Sequence, residues 1–147
     1  RLKRLKKYLK DETFLMTYGD GLSNVNLKKL IAFHKKNKKT VTVTSVRPPA
    51  RFGHLKIKGN IVKYFKEKST LDEGWINGGF FVIEPTFFDY ISNDMTFLER
   101  EPLENITKKN QLSAFKHEGF WQCMDTLRDK QKLDEILKKK KFKKLFE

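Results

Sequence analysis

Arginine is scarce in this strongly basic chain: 6 of the 32 basic residues are arginine, against 26 lysines. A net charge of +14 invites a nucleic-acid reading. Groove readers and phosphate clamps, however, use the planar guanidinium fork. Lysine spread over helix faces describes a solvated surface instead, so no specific nucleic-acid partner is expected, although the charge would attract anionic substrates. Cysteine is nearly absent. The single Cys123 excludes a disulfide framework and points to a reducing, cytoplasmic compartment. Within Phe120-Trp121-Gln122-Cys123-Met124 it reads as a small buried hydrophobe. No apolar run approaches a membrane span and no signal peptide is visible, so no membrane partner is expected. His34, His54 and His117 lack metal-ligand spacing and read as structural or surface residues. No Ser/His/Asp or Cys/His nucleophile arrangement is present.

What the chain does have is apolar payload. Its 147 residues are 38% hydrophobic and include 13 phenylalanines, enough for one domain with a real core, taken as residues 1–147. Leu2, Leu5 and Leu9 stand at helical spacing. Residues 13–20 read as a strand buried on both faces, and Asn24 as the N-cap of a helix over 25–38 with Leu27, Leu30, Ile31 and His34 on one face. Residues 40–46 alternate β-branched side chains at period two, the clearest strand in the chain, ended by Pro48-Pro49. Strands over 54–58 and 61–67 flank Gly59-Asn60, a hairpin turn. Residues 75–83 form a strand interrupted by glycines, Pro85 and Pro102 each start a short helix, and 112–124 supplies one or two strands. Thr126 caps a last helix with Leu127, Leu133, Ile136 and Leu137 as its apolar stripe. The alternation argues mixed α/β. The opening Arg1, in place of methionine, reads as the middle of a longer protein.

Two aspartates far apart carry the most chemistry. Asp20 and Asp125 each close a predicted buried strand, at the end where open α/β sheets place ligands. An unpaired buried carboxylate is costly, and a divalent metal held between the two would remove that cost. Magnesium suits one or two carboxylates plus phosphate oxygens. Asp20 could equally cap a turn. At Glu67-Lys68, a lysine could neutralise a sugar phosphate and a carboxylate accept from sugar hydroxyls, or the two could be an exposed pair. Asn77-Gly78-Gly79 is either a pocket wall where a sugar ring lies against the backbone or a β-bulge. The Arg47–Gly53 loop offers Arg51 to an anion or to a local carboxylate.

Taken in order, these segments resemble one family. The segments are Tyr-Gly-Asp-Gly at 18–21, Arg-Pro-Pro-Ala-Arg-Phe-Gly at 47–53, Glu-Lys at 67–68, Glu-Gly-Trp-Ile-Asn-Gly-Gly-Phe-Phe-Val at 73–82, Glu-Arg-Glu-Pro-Leu-Glu at 99–104 and Gly-Phe-Trp-Gln-Cys-Met-Asp-Thr-Leu-Arg-Asp-Lys at 119–130. They are similar to the glucose-1-phosphate cytidylyltransferases among the sugar-phosphate nucleotidyltransferases. The resemblance implies a Rossmann-like α/β fold, a mixed sheet flanked by helices, with its first βα units missing. The family's Gly-Gly-x-Gly-Thr-Arg-Leu loop and Lys-Pro-Lys-Pro segment have no match here. It implies reaction of CTP with glucose 1-phosphate to give CDP-glucose for dideoxyhexose and related bacterial surface sugars, in a homo-oligomer. It implies Mg²⁺ at Asp20 and Asp125, the sugar phosphate on Lys68, and glucose hydroxyls at Glu67, Asn77, Gly78 and Gly79, with Gly53 leaving room for the ring. Two other classes stay open: an inactive remnant or partner-dependent half with a sheet edge to cover, and a basic binding module using the Lys138–Lys144 run.

Overall fold

Strand β3 (Val41–Val46) is the spine, because both of its long edges are paired. It runs antiparallel to β6 (Ile76–Ile83) and parallel to β7 (Leu112–His117), and β1 (Phe14–Thr17) adds antiparallel to the far side of β6. These observations come from a computed structural model that describes residues 2–9, 11–48, 54–66 and 74–138. The resulting order, β1-β6-β3-β7, mixes both senses of pairing. Such a sheet must be covered on both faces where its strands are continuously apolar, and it is. On one face Phe14, Val41, Phe81 and Ile83 meet Phe87 and Phe88 from the 3-10 turn Pro85–Tyr90, Ile91 just after it, and Ile106 from helix α3 (Glu101–Lys108). The short N-terminal helix α1 (Lys6–Leu9) and the turn before it add Leu2 and Leu9, and the Lys3 ammonium donates to the carbonyls of Phe88 and Ile91. On the other face helix α2 (Leu27–Asn37) brings Leu30 and His34, both fully buried.

His34 shows how a polar group is carried into this core. Its Nδ1 lies 2.8 Å from the Thr42 hydroxyl and its Nε2 2.8 Å from Glu84 Oε1. With both ring nitrogens partnered, the desolvation cost of burial is offset. Its structural reading therefore holds, and His117 likewise bonds locally, to the Phe120 carbonyl at 3.1 Å.

Several boundaries differ from the sequence expectation. The cap of α2 is Asn26, whose Oδ1 accepts from Lys29 N–H at 2.9 Å. Asn24 is drawn away because its N–H donates to the Phe120 carbonyl, and Val25 fills a core position between them. Leu27 is then left exposed rather than on the buried stripe. Strand β1 is shorter than 13–20 and is not buried on both faces: Phe14 is inside, Leu15 and Thr17 are exposed, and among the described residues only β6 pairs with it. Helix α3 spans Glu101–Lys108 with Pro102 in its first turn. Residues 112–124 give two strands, β7 and β8 (Trp121–Cys123). Helix α4 (Leu127–Lys138) is capped as expected, Thr126 and Asp129 exchanging bonds between backbone N–H and side-chain oxygen at 3.2 Å each way. Its stripe is narrower than its spacing suggests, with Leu133 buried, Leu127 and Leu137 exposed. The hairpin of β4 (His54–Lys58) and β5 (Ile61–Lys66) turns at Gly59 with φ +58°, as its dipeptide requires.

The glycines of β6 form a bulge. Val43 pairs with Phe81 and Ser45 with Asn77, so Gly78, Gly79 and Phe80 face Thr44 alone. A Cβ on Gly78 would sit 2.8 Å from Val46 Cγ1 and 2.9 Å from the Thr44 carbonyl oxygen. Gly79 adopts φ +79° with Tyr18 packed against it. Gly78→Ala should therefore destabilise the fold by about 1–3 kcal/mol, the usual cost of overpacking. Gly19→Ala, with nothing within 4 Å of the new methyl, should stay within about 0.5 kcal/mol of the parent. Urea midpoints of the two variants decide this; equal midpoints would mean that the bulge relaxes without cost.

Candidate active site

A two-stranded ladder brings the two aspartates together. Strand β2 (Gly21–Ser23) pairs antiparallel with β8, Gly21 opposite Cys123, and Met124 N–H donates to the Asp20 carbonyl at 2.8 Å. Asp20 stands just before β2 and Asp125 two residues past β8, so one ladder sets both carboxylates on the rim of one cavity of about 470 Å³. Both are exposed. The burial expected of them is corrected accordingly: β1 ends at Thr17, β8 lies outside the four-stranded sheet, and neither carboxylate is desolvated by a core. Among the described residues neither carboxylate makes a hydrogen bond or an ion pair.

The far wall is the bulge, and it is braced from two sides. Trp121 Nε1–H donates to the Gly78 carbonyl at 2.8 Å, which ties β8 to β6. Asn77 Oδ1 accepts from Gly79 N–H at 2.8 Å, and its Nδ2 donates to the Tyr18 hydroxyl at 3.1 Å. That hydroxyl donates in turn to Glu99 Oε1. Its pKa is driven well above the ordinary tyrosine range, by burial first and by the Glu99 carboxylate next, while the Asn77 N–H pulls the other way. The hydroxyl therefore stays a donor at neutral pH. Of the two alternatives for 77–79 the bulge is observed, and Gly78 and Gly79 also line the cavity.

Cys123 departs from its expected role. It is half-buried and lines the cavity, and its Sγ, an Asp125 oxygen and an Asp129 oxygen lie within 4.8 Å of one another. Asp20 is not in that trio. Asp129 Oδ2 is occupied with the Thr126 hydroxyl at 2.8 Å, and the thiol is a soft donor. For a hard cation such as Mg²⁺, the uncommitted oxygens of Asp20 and Asp125 fit the chemistry better. Of the other sequence candidates, Asn77, Gly78 and Gly79 share the cavity with the aspartates. Arg51, Gly53, Glu67 and Lys68 lie outside the described residues. Sequence reasoning assigned no role to Tyr18, Glu99 or Trp121. A usable signal was present: Tyr18 is two residues from Asp20, and a Trp near a strand tip needs a partner for its N–H.

Residues 2–128 match the nucleotidyl transferase family. The chain is 49% identical over 142 residues to the glucose-1-phosphate cytidylyltransferase of Salmonella typhimurium, covering 96% of this chain and 55% of that protein. The enzyme of the same description from Salmonella typhi matches to the same extent. The crystal structure of HddC from Yersinia pseudotuberculosis superposes with a TM-score of 0.68 at 22% identity, over 93% of this chain and 60% of that one, which bears on the fold alone. The chain thus spans about half the length of the curated relatives it matches, and it belongs to the nucleotidyl transferase family.

Proposed function

We propose that this chain is the sugar-binding portion of a glucose-1-phosphate cytidylyltransferase, a single partial domain of a cytoplasmic homo-oligomer that serves bacterial surface-polysaccharide synthesis (dideoxyhexoses, O-antigen, lipopolysaccharide). The observation that carries the reading is the meeting of Asp20 and Asp125, unpaired by any other side chain, on one cavity walled by Asn77, Gly78 and Gly79. The relatives that match almost the whole chain are described by that activity.

In the proposed reaction a phosphate oxygen of glucose 1-phosphate forms a bond to the α-phosphorus of CTP. The α–β phosphoanhydride bond breaks, pyrophosphate leaves with its electron pair, and CDP-glucose remains. The nucleophile is already ionised near neutral pH, so the residues need to position and neutralise rather than move a proton. Asp20 and Asp125 would hold Mg²⁺, which when bound supplies charge neutralisation to the nucleotide phosphates. Lys68 would hold the sugar phosphate in line, and Arg51 would add a second cation. Glu67 would accept from glucose hydroxyls and Gly53 would leave space for the ring. Asn77 retains one amide hydrogen after bonding Tyr18, so it can donate one bond to a hydroxyl while the Tyr18–Glu99 pair holds it still.

Two measurements test this. Mn²⁺, standing in for Mg²⁺, is titrated into the chain and followed by electron paramagnetic resonance. Asp20→Asn and Asp125→Asn should each weaken binding by about tenfold or more, as loss of a ligand's negative charge does, and Cys123→Ser should change nothing. Weakening by Cys123→Ser with Asp20→Asn silent would move the site to the thiol-containing trio. Pyrophosphate release is then assayed with CTP and glucose 1-phosphate for a chimera joining this chain to the portion of the Salmonella typhimurium relative that it does not match. Asp125→Ala should lower turnover by about 100-fold or more, the equivalent of several kcal/mol of lost stabilisation. A chimera that turns over equally fast without Asp125 contradicts the assignment.

A further inference from the structure

The hydrogen bonds of the cavity wall run in one direction only. Gly79 N–H donates to Asn77 Oδ1 at 2.8 Å, Asn77 Nδ2 donates to the Tyr18 hydroxyl at 3.1 Å, and that hydroxyl donates to Glu99 Oε1. The two ends permit no other sense, because a backbone N–H can only donate and an ionised carboxylate can only accept. Glu99 takes the tyrosine hydrogen, so the hydroxyl oxygen is left to accept from the amide. Asn77 must then turn Nδ2 toward Tyr18 and Oδ1 toward Gly79. One amide hydrogen remains for a ligand, on a residue that lines the cavity.

Nothing local to β1 or β6 supplies that carboxylate. Glu99 lies 81 residues from Tyr18, in the turn before α3. Its two neighbours hold it in place. Leu98 packs against the core and its carbonyl accepts from Leu103 N–H at 3.2 Å, while the Arg100 carbonyl accepts from Glu104 N–H at 2.9 Å. The Arg100 guanidinium lies over the Phe97 ring, 5.0 Å from its centroid, and among the described residues no cation pairs with Glu99. Its charge is therefore spent on Tyr18. Without it the hydroxyl can turn to donate, which favours an amide with Oδ1 toward Tyr18 and gives the ligand a mixture of two orientations.

We propose that Glu99 is a specificity-determining positioning residue, which acts through Tyr18 to fix the Asn77 amide as a donor to one hydroxyl oxygen of the hexose 1-phosphate. A fixed donor discriminates because a sugar that lacks the matching oxygen leaves it unpaired. This deepens the sugar-binding reading of Asn77 and rests on it, but Glu99 and Tyr18 need not touch the sugar.

The test is NMR titration of the chain with glucose 1-phosphate and with each of its monodeoxy analogues. Asn77→Ala, Glu99→Ala, Glu99→Gln and Tyr18→Phe are compared with the parent, each checked by circular dichroism for the parent spectrum. The parent should bind one analogue about tenfold or more weakly than glucose 1-phosphate because of the lost oxygen, and Asn77→Ala should abolish that preference. Glu99→Ala and Tyr18→Phe should each reduce it by about threefold or more, at the same hydroxyl and no other. Combining the two should reduce it no further, since they act in series. Glu99→Gln keeps an oxygen that accepts from the tyrosine and should retain most of the preference. A merely structural role for Glu99 would weaken every sugar alike, and that result overturns the proposal. Preference lost in Asn77→Ala but kept in Glu99→Ala also overturns it, and leaves the sugar-binding reading standing. An Asn77→Ala chain that selects as the parent does, or a parent that binds none of these sugars, ends both.

Discussion

The Gly78 carbonyl, released from its ladder by the bulge and taken up by the Trp121 indole N–H at 2.8 Å, is the contact on which the site depends. Without the bulge that carbonyl would bond within the sheet, and β8 would have no polar anchor on β6. Without β8 in place, β2 would lose its partner and Asp125 would lose its position beside Asp20. The geometry needs glycine at 78 for space and at 79 for a positive φ. Residues chosen for backbone reasons in one strand therefore determine where a carboxylate more than forty positions away is held.

Tyr18 couples the same bulge to the other side of the cavity. Its ring packs against Gly79 and stands 5.5 Å from the Phe81 ring of the core, while its hydroxyl joins Asn77 to Glu99. The hydrogen-bonded chain from Gly79 N–H through Asn77 and Tyr18 to Glu99 is continuous. Such a network inside a half-buried wall fixes rotamers that a solvated wall would leave mobile. Preorganisation of this kind matters more for a site that positions a ready nucleophile than for one that must also transfer protons.

The fold was legible wherever local pattern and tertiary demand coincide. Residues 40–46 alternate because β3 is paired on both edges, and Gly59-Asn60 turns because the tight hairpin needs a positive φ. Legibility ended where a partner distant in sequence decides. Asn24 and Asn26 are equally good caps by type, and the choice is made by the Phe120 carbonyl nearly a hundred residues away. The run 13–20 is apolar enough for a buried strand, yet burial depends on how many neighbours it has, which no local pattern records. At the site, the convergence of Asp20 and Asp125 was readable from their strand-tip positions, but the reason offered for it, relief of a buried charge, was not the physical one. The Tyr18–Asn77–Glu99 network was invisible because none of its spacings is periodic.

Exposure of the two aspartates changes what they can do. A buried pair would bind a cation tightly and alone, because the protein could not tolerate the uncompensated charge. Exposed carboxylates carry no such stress, and water competes for whatever they hold. Two such groups suit a hard cation that is shared with an anionic ligand, the ligand supplying the remaining oxygens. In a chain of net charge +14 that division is favourable, since the overall field of the molecule attracts the anion. Under the proposed reaction, nucleotide and metal would therefore bind together: the carboxylates would orient a metal–phosphate complex rather than store a metal. Removing either aspartate would then loosen the grip on that complex while leaving the fold intact, because no core contact and no buried hydrogen bond is lost with it.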